Sequence, residues 1–234
     1  MGLFHFRHFD IDDCGCGMKI CSDSVLLAAW FLPPYREARS VLDVGTGSGV
    51  LALLAAEICP YAEIIGVEID PAAYDAAKAN FRNSPWASRL QTVHSDVNDY
   101  AVGAPDIIIS NPPYFTNGEH SSDAARCAAR HQNGFGFDTL LDLPLAEGGH
   151  LGMVTPADAY DSIIFDAEMR RRKLRRLCRV ATAPGKAPSR LLWDFSDTDG
   201  DYVEQTLNLR DTSGYYSDEY RRLTEPYYQK LPLR

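Results

Sequence analysis

The nonapeptide Val41-Leu42-Asp43-Val44-Gly45-Thr46-Gly47-Ser48-Gly49 carries more architectural information than any other part of the chain. The apolar run over 40–44 is halted by three alternate glycines, and 50–58 then shows helical periodicity, which spells strand, glycine turn, helix. A second unit follows directly. Residues 63–67 read as a buried strand, Glu68-Ile69-Asp70 ends it, and Pro71 stands where a proline opens a helix to about Phe81. Residues 89–94 and 106–110 are a third and a fourth strand, the latter stopping at Asn111-Pro112-Pro113-Tyr114. A loop over 115–136, a helix over 137–146, a strand over 149–154 and a helix from Pro156 to about Lys173 continue the alternation. Upstream, Ser22-Asp23 is expected to cap a helix that ends at Pro33-Pro34. Downstream, 174–182, 189–195 and 202–209 read as strands joined by turns.

Strands alternating with helices imply an α/β fold: a doubly wound, mainly parallel sheet with right-handed crossovers. The last three strands have no helix between them, so antiparallel strands are expected at the C-terminal edge. One domain over 1–234 is expected, with an N-terminal segment and first helix (1–35), a cofactor-binding core (36–173), and C-terminal strands and tail (174–234). Ligands of such sheets bind beyond the carboxyl ends of the strands, where strand order reverses. Asp43, Gly45, Glu68, Asp96 and Asn111 are therefore the residues to read for chemistry.

At 234 residues, with 45% hydrophobic and 24% charged, the chain has the composition of a soluble globular α/β domain. No apolar run approaches the roughly 18 residues of a membrane span, and the start lacks the apolar core of a signal peptide. Cytoplasmic residence, no membrane partner, a monomer and reduced thiols are the expectations. Cys14, Cys16 and Cys21 cluster, but no second Cys or His pair accompanies them, so no metal site is expected. The formal charge of −9 argues against a protein that coats nucleic acid indiscriminately. Charge is uneven, however: residues 170–190 hold nine Lys and Arg and no acid, which leaves −18 for the rest. That stretch is either a solvated helix end and surface strand or a footprint for phosphates.

The glycine turn has Val50 where a dinucleotide fingerprint wants a third glycine, and no phosphate-loop lysine follows. Glu68 ends the second strand 21 residues beyond Gly47, placed to accept hydrogen bonds from both hydroxyls of a ribose. Asp96 ends the third strand and can accept from an adenine amino group, with the Val97 N–H available to the ring, or can merely cap the following turn. Asp43 can hold the glycine turn, take a ligand ammonium, or do both. An adenosine ligand fits this set.

The tetrapeptide at 111–114 suits a planar amino nitrogen, whose delocalised lone pair makes it a poor nucleophile. The Asn111 side-chain oxygen and the Pro112 carbonyl can each accept one N–H, which favours a pyramidal nitrogen. The two prolines restrict the backbone that presents these acceptors, and Tyr114 offers a stacking face.

In order and spacing, VLDVGTGSG, GVEID, HSDV and NPPY resemble motifs I to IV of the class I S-adenosylmethionine methyltransferases. The resemblance implies a Rossmann-like methyltransferase fold, S-adenosyl-L-methionine as cofactor, and cofactor contacts from Asp43, Gly45, Gly47, Gly49, Glu68, Ile69, Asp96, Val97 and Asn111. Asn111, Pro112 and Tyr114 would be catalytic. NPPY serves both nucleobase amines and the side-chain amide of glutamine in release factors, and does not choose between them.

Nearly the whole chain resembles the bacterial valine tRNA (adenine-37-N6)-methyltransferase family, through FHFRHFDIDD, CGMKICSDSVLLAAW, AARHQNGFGFDTLL, PGKAPSRLLWDFS and YYSDEYRRLTEPYYQKL. The chain departs from it at Cys14-Gly15-Cys16-Gly17, where the family carries one cysteine among charged residues. The resemblance implies a tRNA partner whose adenine is flipped toward Asn111. Lys19 and Asp23 would lie in motif X, Arg126, Arg130 and His131 on the loop after Tyr114, and Arg171, Arg172, Lys186 and Arg190 would meet phosphates. The alternatives are glutamine-amide methylation of release factors, which calls for a helical recognition domain ahead of motif I, amino-methylation of ribosomal RNA or DNA, and a binding protein without catalysis.

Overall fold

The strands around the glycine turn are runs of Ile, Val and Leu because both of their faces are covered. Val41, Ile107 and Ile109 join one buried cluster, while Leu42 and Ile108, one residue out of phase, join another. The computed structural model describes residues 2–14, 16, 20–112 and 136–230. In chain order its elements are β1 (Leu3–His5), β2 (Asp10–Asp12), α1 (Ser22–Phe31), β3 (Ser40–Val44), α2 (Val50–Ile58), β4 (Glu63–Glu68), α3 (Pro71–Asn83), β5 (Leu90–His94), β6 (Ile107–Ser110), α4 (Phe137–Asp142), β7 (His150–Pro156), α5 (Tyr160–Met169), β8 (Lys173–Ala181), β9 (Pro188–Ser196), β10 (Val203–Asn208) and α6 (Asp218–Thr224). Strands β3 to β10 form one sheet in the order β10-β8-β9-β7-β6-β3-β4-β5. The chain runs from β3 outward to β5 and returns to β6 on the other side of β3, so strand order reverses between β3 and β6.

The first cluster lies under α1, α2, α3 and α6, and the second under α4 and α5. Helix α1 is buried from Ser24 to Phe31 because it packs against the sheet, α2 and α6 at once. Each fully buried Leu or Ile in these layers is worth roughly 1.5–3 kcal/mol relative to exposure. No helix among the described residues is long and apolar enough to cross a membrane.

Several features differ from the sequence expectation; among them, Pro156 ends β7 and the helix after it spans only Tyr160–Met169. Of the last three strands only β9 is antiparallel: it fills the slot between β7 and β8, leaving β10 to pair in parallel with the outer edge of β8. The connection from β9 to β10 crosses the start of β8, where the Arg175 guanidinium donates to the carbonyls of Thr198, Asp199 and Asp201. Helix α4 stops at Asp142, short of 146, because Pro144 forces Leu143 into an extended conformation. The cap of α1 is Cys21, whose side chain does not cap a backbone N–H, so Ser22 is already helical. The β1–β2 hairpin and α6 were not expected; the hairpin strands have three residues each, too short for an alternation signal.

Candidate active site

Asp43 is fully buried at the carboxyl end of β3. Its Oδ2 accepts from Thr46 Oγ1 at 2.6 Å and from the Ala52 N–H at 3.1 Å, so it ties the glycine turn to the first turn of α2. Oδ1 is buried with no hydrogen-bond partner. Burial pushes the Asp43 carboxyl up to about 7, with the nearby Glu68 charge adding to the rise and the two hydrogen bonds opposing it. A buried acceptor left unmatched costs about 1–3 kcal/mol, which a ligand cation would offset.

The turn itself is left-handed at Gly45, Gly47 and Gly49, with φ of 69, 59 and 92°. Nothing lies within 4 Å of where a Cβ would stand on Gly45 or Gly47, so these glycines leave open space over the strand ends. Gly49 has a different role: a Cβ there would sit 2.4 Å from the Phe81 ring, so this glycine admits α3 to the core. Glu68, at the tip of β4, accepts from the Gly47 N–H through Oε2 at 2.8 Å and from the Asp70 N–H through Oε1 at 2.9 Å. Each oxygen keeps a second lone pair for a hydroxyl.

Beside it Ile69 is 62% exposed, an apolar surface next to the turn. Asp96 Oδ1 accepts from the backbone and side-chain nitrogens of Asn98, both at 2.9 Å, so the turn-capping role is realised there. Val97 is buried in the second cluster.

Asn111 follows β6, across the reversal point from the glycine turn. Ser110 Oγ donates to the Val44 carbonyl at 2.8 Å and locks the two strand tips together. The Asn111 Nδ2 donates to Ser24 Oγ at 2.9 Å and to Cys21 Sγ at 3.2 Å, both at the start of α1. The amide nitrogen is thereby turned into the protein, and Oδ1 is the opposite end. Pro112 is buried after it. Pro113, Tyr114, Lys19, Arg126, Arg130 and His131 lie outside the described residues.

Residues 13–132 match the methyltransferase small domain family. Over 241 aligned residues the chain is 37% identical to the tRNA1(Val) (adenine(37)-N6)-methyltransferase of Porphyromonas gingivalis, covering 97% of this chain and 94% of that one. It is 38% identical to the protein of the same name from Shewanella amazonensis, covering 97% and 99%. The chain belongs to the tRNA1(Val) (adenine(37)-N6)-methyltransferase family. Its fold is shared with a predicted O-methyltransferase from Agrobacterium tumefaciens (TM-score 0.67, 16% identity, 87% of this chain and 96% of that one). It is also shared with a T. thermophilus 16S rRNA methyltransferase in complex with AdoMet and guanosine (TM-score 0.53, 23% identity, 81% and 47%).

The cofactor of this family of methyltransferases is S-adenosylmethionine, and the residues present fit it. The unmatched buried Asp43 Oδ1 suits its ammonium, the spare lone pairs of Glu68 suit its ribose, and the space over Gly45 and Gly47 admits its chain. Ile69 and Asp96, just past the tips of β4 and β5, would flank its adenine.

The basic stretch is mostly consumed inside the protein. Arg172, expected to meet phosphate, is 8% exposed and donates to the Leu141 and Leu143 carbonyls and to Asp197. Arg170 pairs with Asp142, so these two arginines finish the C-terminus of α4. Arg176 pairs with buried Asp194, Arg179 with Glu204, and Lys173 with Asp199.

Arg171 and Arg172 also precede β8, hence lie at the amino end of the sheet, opposite Asn111. Lys186 is in the β8–β9 turn at the carboxyl end, as is Arg190, whose register partners are Pro156 and Val180. Arg190 Nε pairs with Asp23 Oδ2 at 2.9 Å, so two expected substrate residues bind each other and pin the first turn of α1. Thr46, Ser24, Cys21 and Asn80 were missed from sequence. Only Thr46 carried a signal, as a hydroxyl three residues after a buried acid.

Proposed function

We propose that the chain transfers a methyl group from S-adenosylmethionine to the N6 amine of adenine 37 in valine tRNA, in the cytoplasm. The observation that carries this reading is Asn111, at the tip of β6 beside the glycine turn of β3, with its amide nitrogen engaged on the protein side. The relatives named above supply the substrate.

When bound, S-adenosylmethionine supplies an electrophilic methyl on a sulfonium. Asn111 Oδ1 and the Pro112 carbonyl accept the two N–H groups of the adenine amine, which draws its lone pair out of the ring and aims it at that carbon. Held by these two acceptors, the amine nitrogen would take the methyl from the cofactor that Asp43 and Glu68 would hold, and would then shed one proton to solvent. Its acidity at that stage makes a dedicated base unnecessary. Lys186, at the same end of the sheet as Asn111, is the candidate phosphate contact.

The test is to incubate the protein with labelled cofactor and, separately, valine tRNA, release factor and ribosomal RNA, then digest and identify the product. N6-methyladenosine at position 37 of valine tRNA is expected; methylglutamine or methylguanine in its place overturns the reading.

A further inference from the structure

We infer that Ser24, together with Cys21, is a positioning residue that fixes which end of the Asn111 carboxamide faces the target amine. The inference rests on the amino-methylation reading above and extends it to side chains outside the tetrapeptide. A carboxamide has two ends of nearly equal shape, and a half-turn about its last torsion exchanges acceptor for donor. Only one orientation is productive: presenting NH2 to an NH2 group sets donor against donor.

The start of α1 breaks this degeneracy. An amide nitrogen has two hydrogens, and here two acceptors meet it, Ser24 Oγ at 2.9 Å and Cys21 Sγ at 3.2 Å. Ser24 Oγ and Cys21 Sγ are 3.7 Å apart, so a hydroxyl proton directed at the sulfur leaves oxygen lone pairs for Nδ2. A flipped amide would draw the Ser24 proton away from the sulfur onto Oδ1, leave Cys21 only a weak thiol donor toward that oxygen, and take Nδ2 from both acceptors.

The pair is also held rigidly. Ser24 is 4% exposed, the Asp23–Arg190 ion pair fixes the same helical turn to β9, and Ser110 fixes the strand tip from the other side. Preorganised in this way, Asn111 needs no reorientation when the base arrives.

The experiment compares wild type with S24A, S24T and C21A. The Asn111 side-chain NH2 signal, assigned in asparagine-labelled protein by its loss in N111A, is followed by hydrogen exchange without any substrate. Kinetics on valine tRNA are measured alongside melting temperature and cofactor affinity. In S24A the NH2 exchange should accelerate and kcat should fall at least about tenfold, with tRNA KM and cofactor affinity within about twofold.

S24T, which keeps the hydroxyl, should recover most of kcat, and C21A should show a smaller loss than S24A. An unchanged NH2 signal in S24A, or kcat within about twofold of wild type, overturns the inference. So does a loss of kcat matched by an equal loss of cofactor affinity. If wild type leaves valine tRNA unmethylated, the functional reading fails while the exchange measurement still decides the role of Ser24.

Discussion

Asn80 Nδ2 donates to the Ser48 carbonyl in the glycine turn at 2.8 Å. The same carboxamide donates to the Asp12 carbonyl and accepts from the Asp12 N–H, both at 2.9 Å. One buried side chain on α3 thus joins the N-terminal hairpin to the glycine turn after β3. The hairpin is thereby tied to the glycine turn.

Asn80→Ala strands these backbone groups, each at a cost of about 1–3 kcal/mol if water cannot reach it. We expect a lower melting temperature and weaker S-adenosylmethionine binding by calorimetry, because the glycine turn loses its brace. A variant that melts earlier but binds the cofactor as wild type does would confine Asn80 to a purely structural role.

Asp43 sets a pH dependence whose sign follows from its burial. With its carboxyl pushed up to about 7 in the folded protein, against 3.8 in the unfolded chain, the folded state holds a proton that the unfolded state has released across that window. Its contribution to stability therefore declines as pH rises from about 4 to about 7. A ligand ammonium facing Oδ1 favours the carboxylate, so cofactor binding expels the proton. Affinity should rise about tenfold per pH unit at most below pH 7 and level off above it, and Asp43→Asn should flatten the profile. An identical slope in the variant would assign the proton to another group.

For Asn111→Ala, cofactor affinity should stay within a few fold while turnover drops about a hundredfold or more, since the lost acceptor matters only when the amine reacts. Stopped-flow or quench measurement of a single turnover separates this from slow product release. Turnover near the wild-type rate would remove Asn111 from the chemistry.

How much of this is legible in the sequence depends on how local each signal is. The strand, glycine turn and helix around Asp43, the acid at Glu68 and the position of Asn111 are set by neighbours in sequence, and the structure places them at adjacent strand tips. Ser24 lies 87 residues from Asn111, and Asn80 lies 68 from Asp12, so no spacing rule could pair them. The parallel pairing of β10 was illegible for a similar reason: it follows from β9 having taken the slot beside β7, a fact of sheet order and not of strand pattern. Charge decides least, because a run of arginines looks the same whether it faces phosphate or the end of a helix.

Gly49 tests whether the third glycine is there for the cofactor or for the core. A side chain at φ 92° is strained, and its Cβ would meet Phe81 at 2.4 Å. Gly49→Ala should therefore destabilise the protein by about 1–3 kcal/mol, measured by denaturant unfolding. The penalty should shrink when measured against a Phe81→Leu background. Equal penalties in both backgrounds would leave backbone strain alone as the cause.

The two halves of the basic stretch have different roles. Arg172→Ala removes donors from the Leu141 and Leu143 carbonyls and from Asp197, so it should lower stability by about 2–4 kcal/mol. Below its melting transition the variant should bind tRNA as wild type does, because Arg172 lies at the amino end of the sheet. Lys186, on an exposed turn at the carboxyl end, makes the opposite case. Lys186→Glu should leave unfolding unchanged but weaken tRNA binding and reduce the slope of its salt dependence by about one. Filter-binding titrations over a range of salt, set beside thermal melts, distinguish the two. If Arg172→Ala lost RNA affinity while Lys186→Glu kept it, the RNA would have to pass the amino end of the sheet, and the approach of the base to Asn111 from the carboxyl end would be untenable.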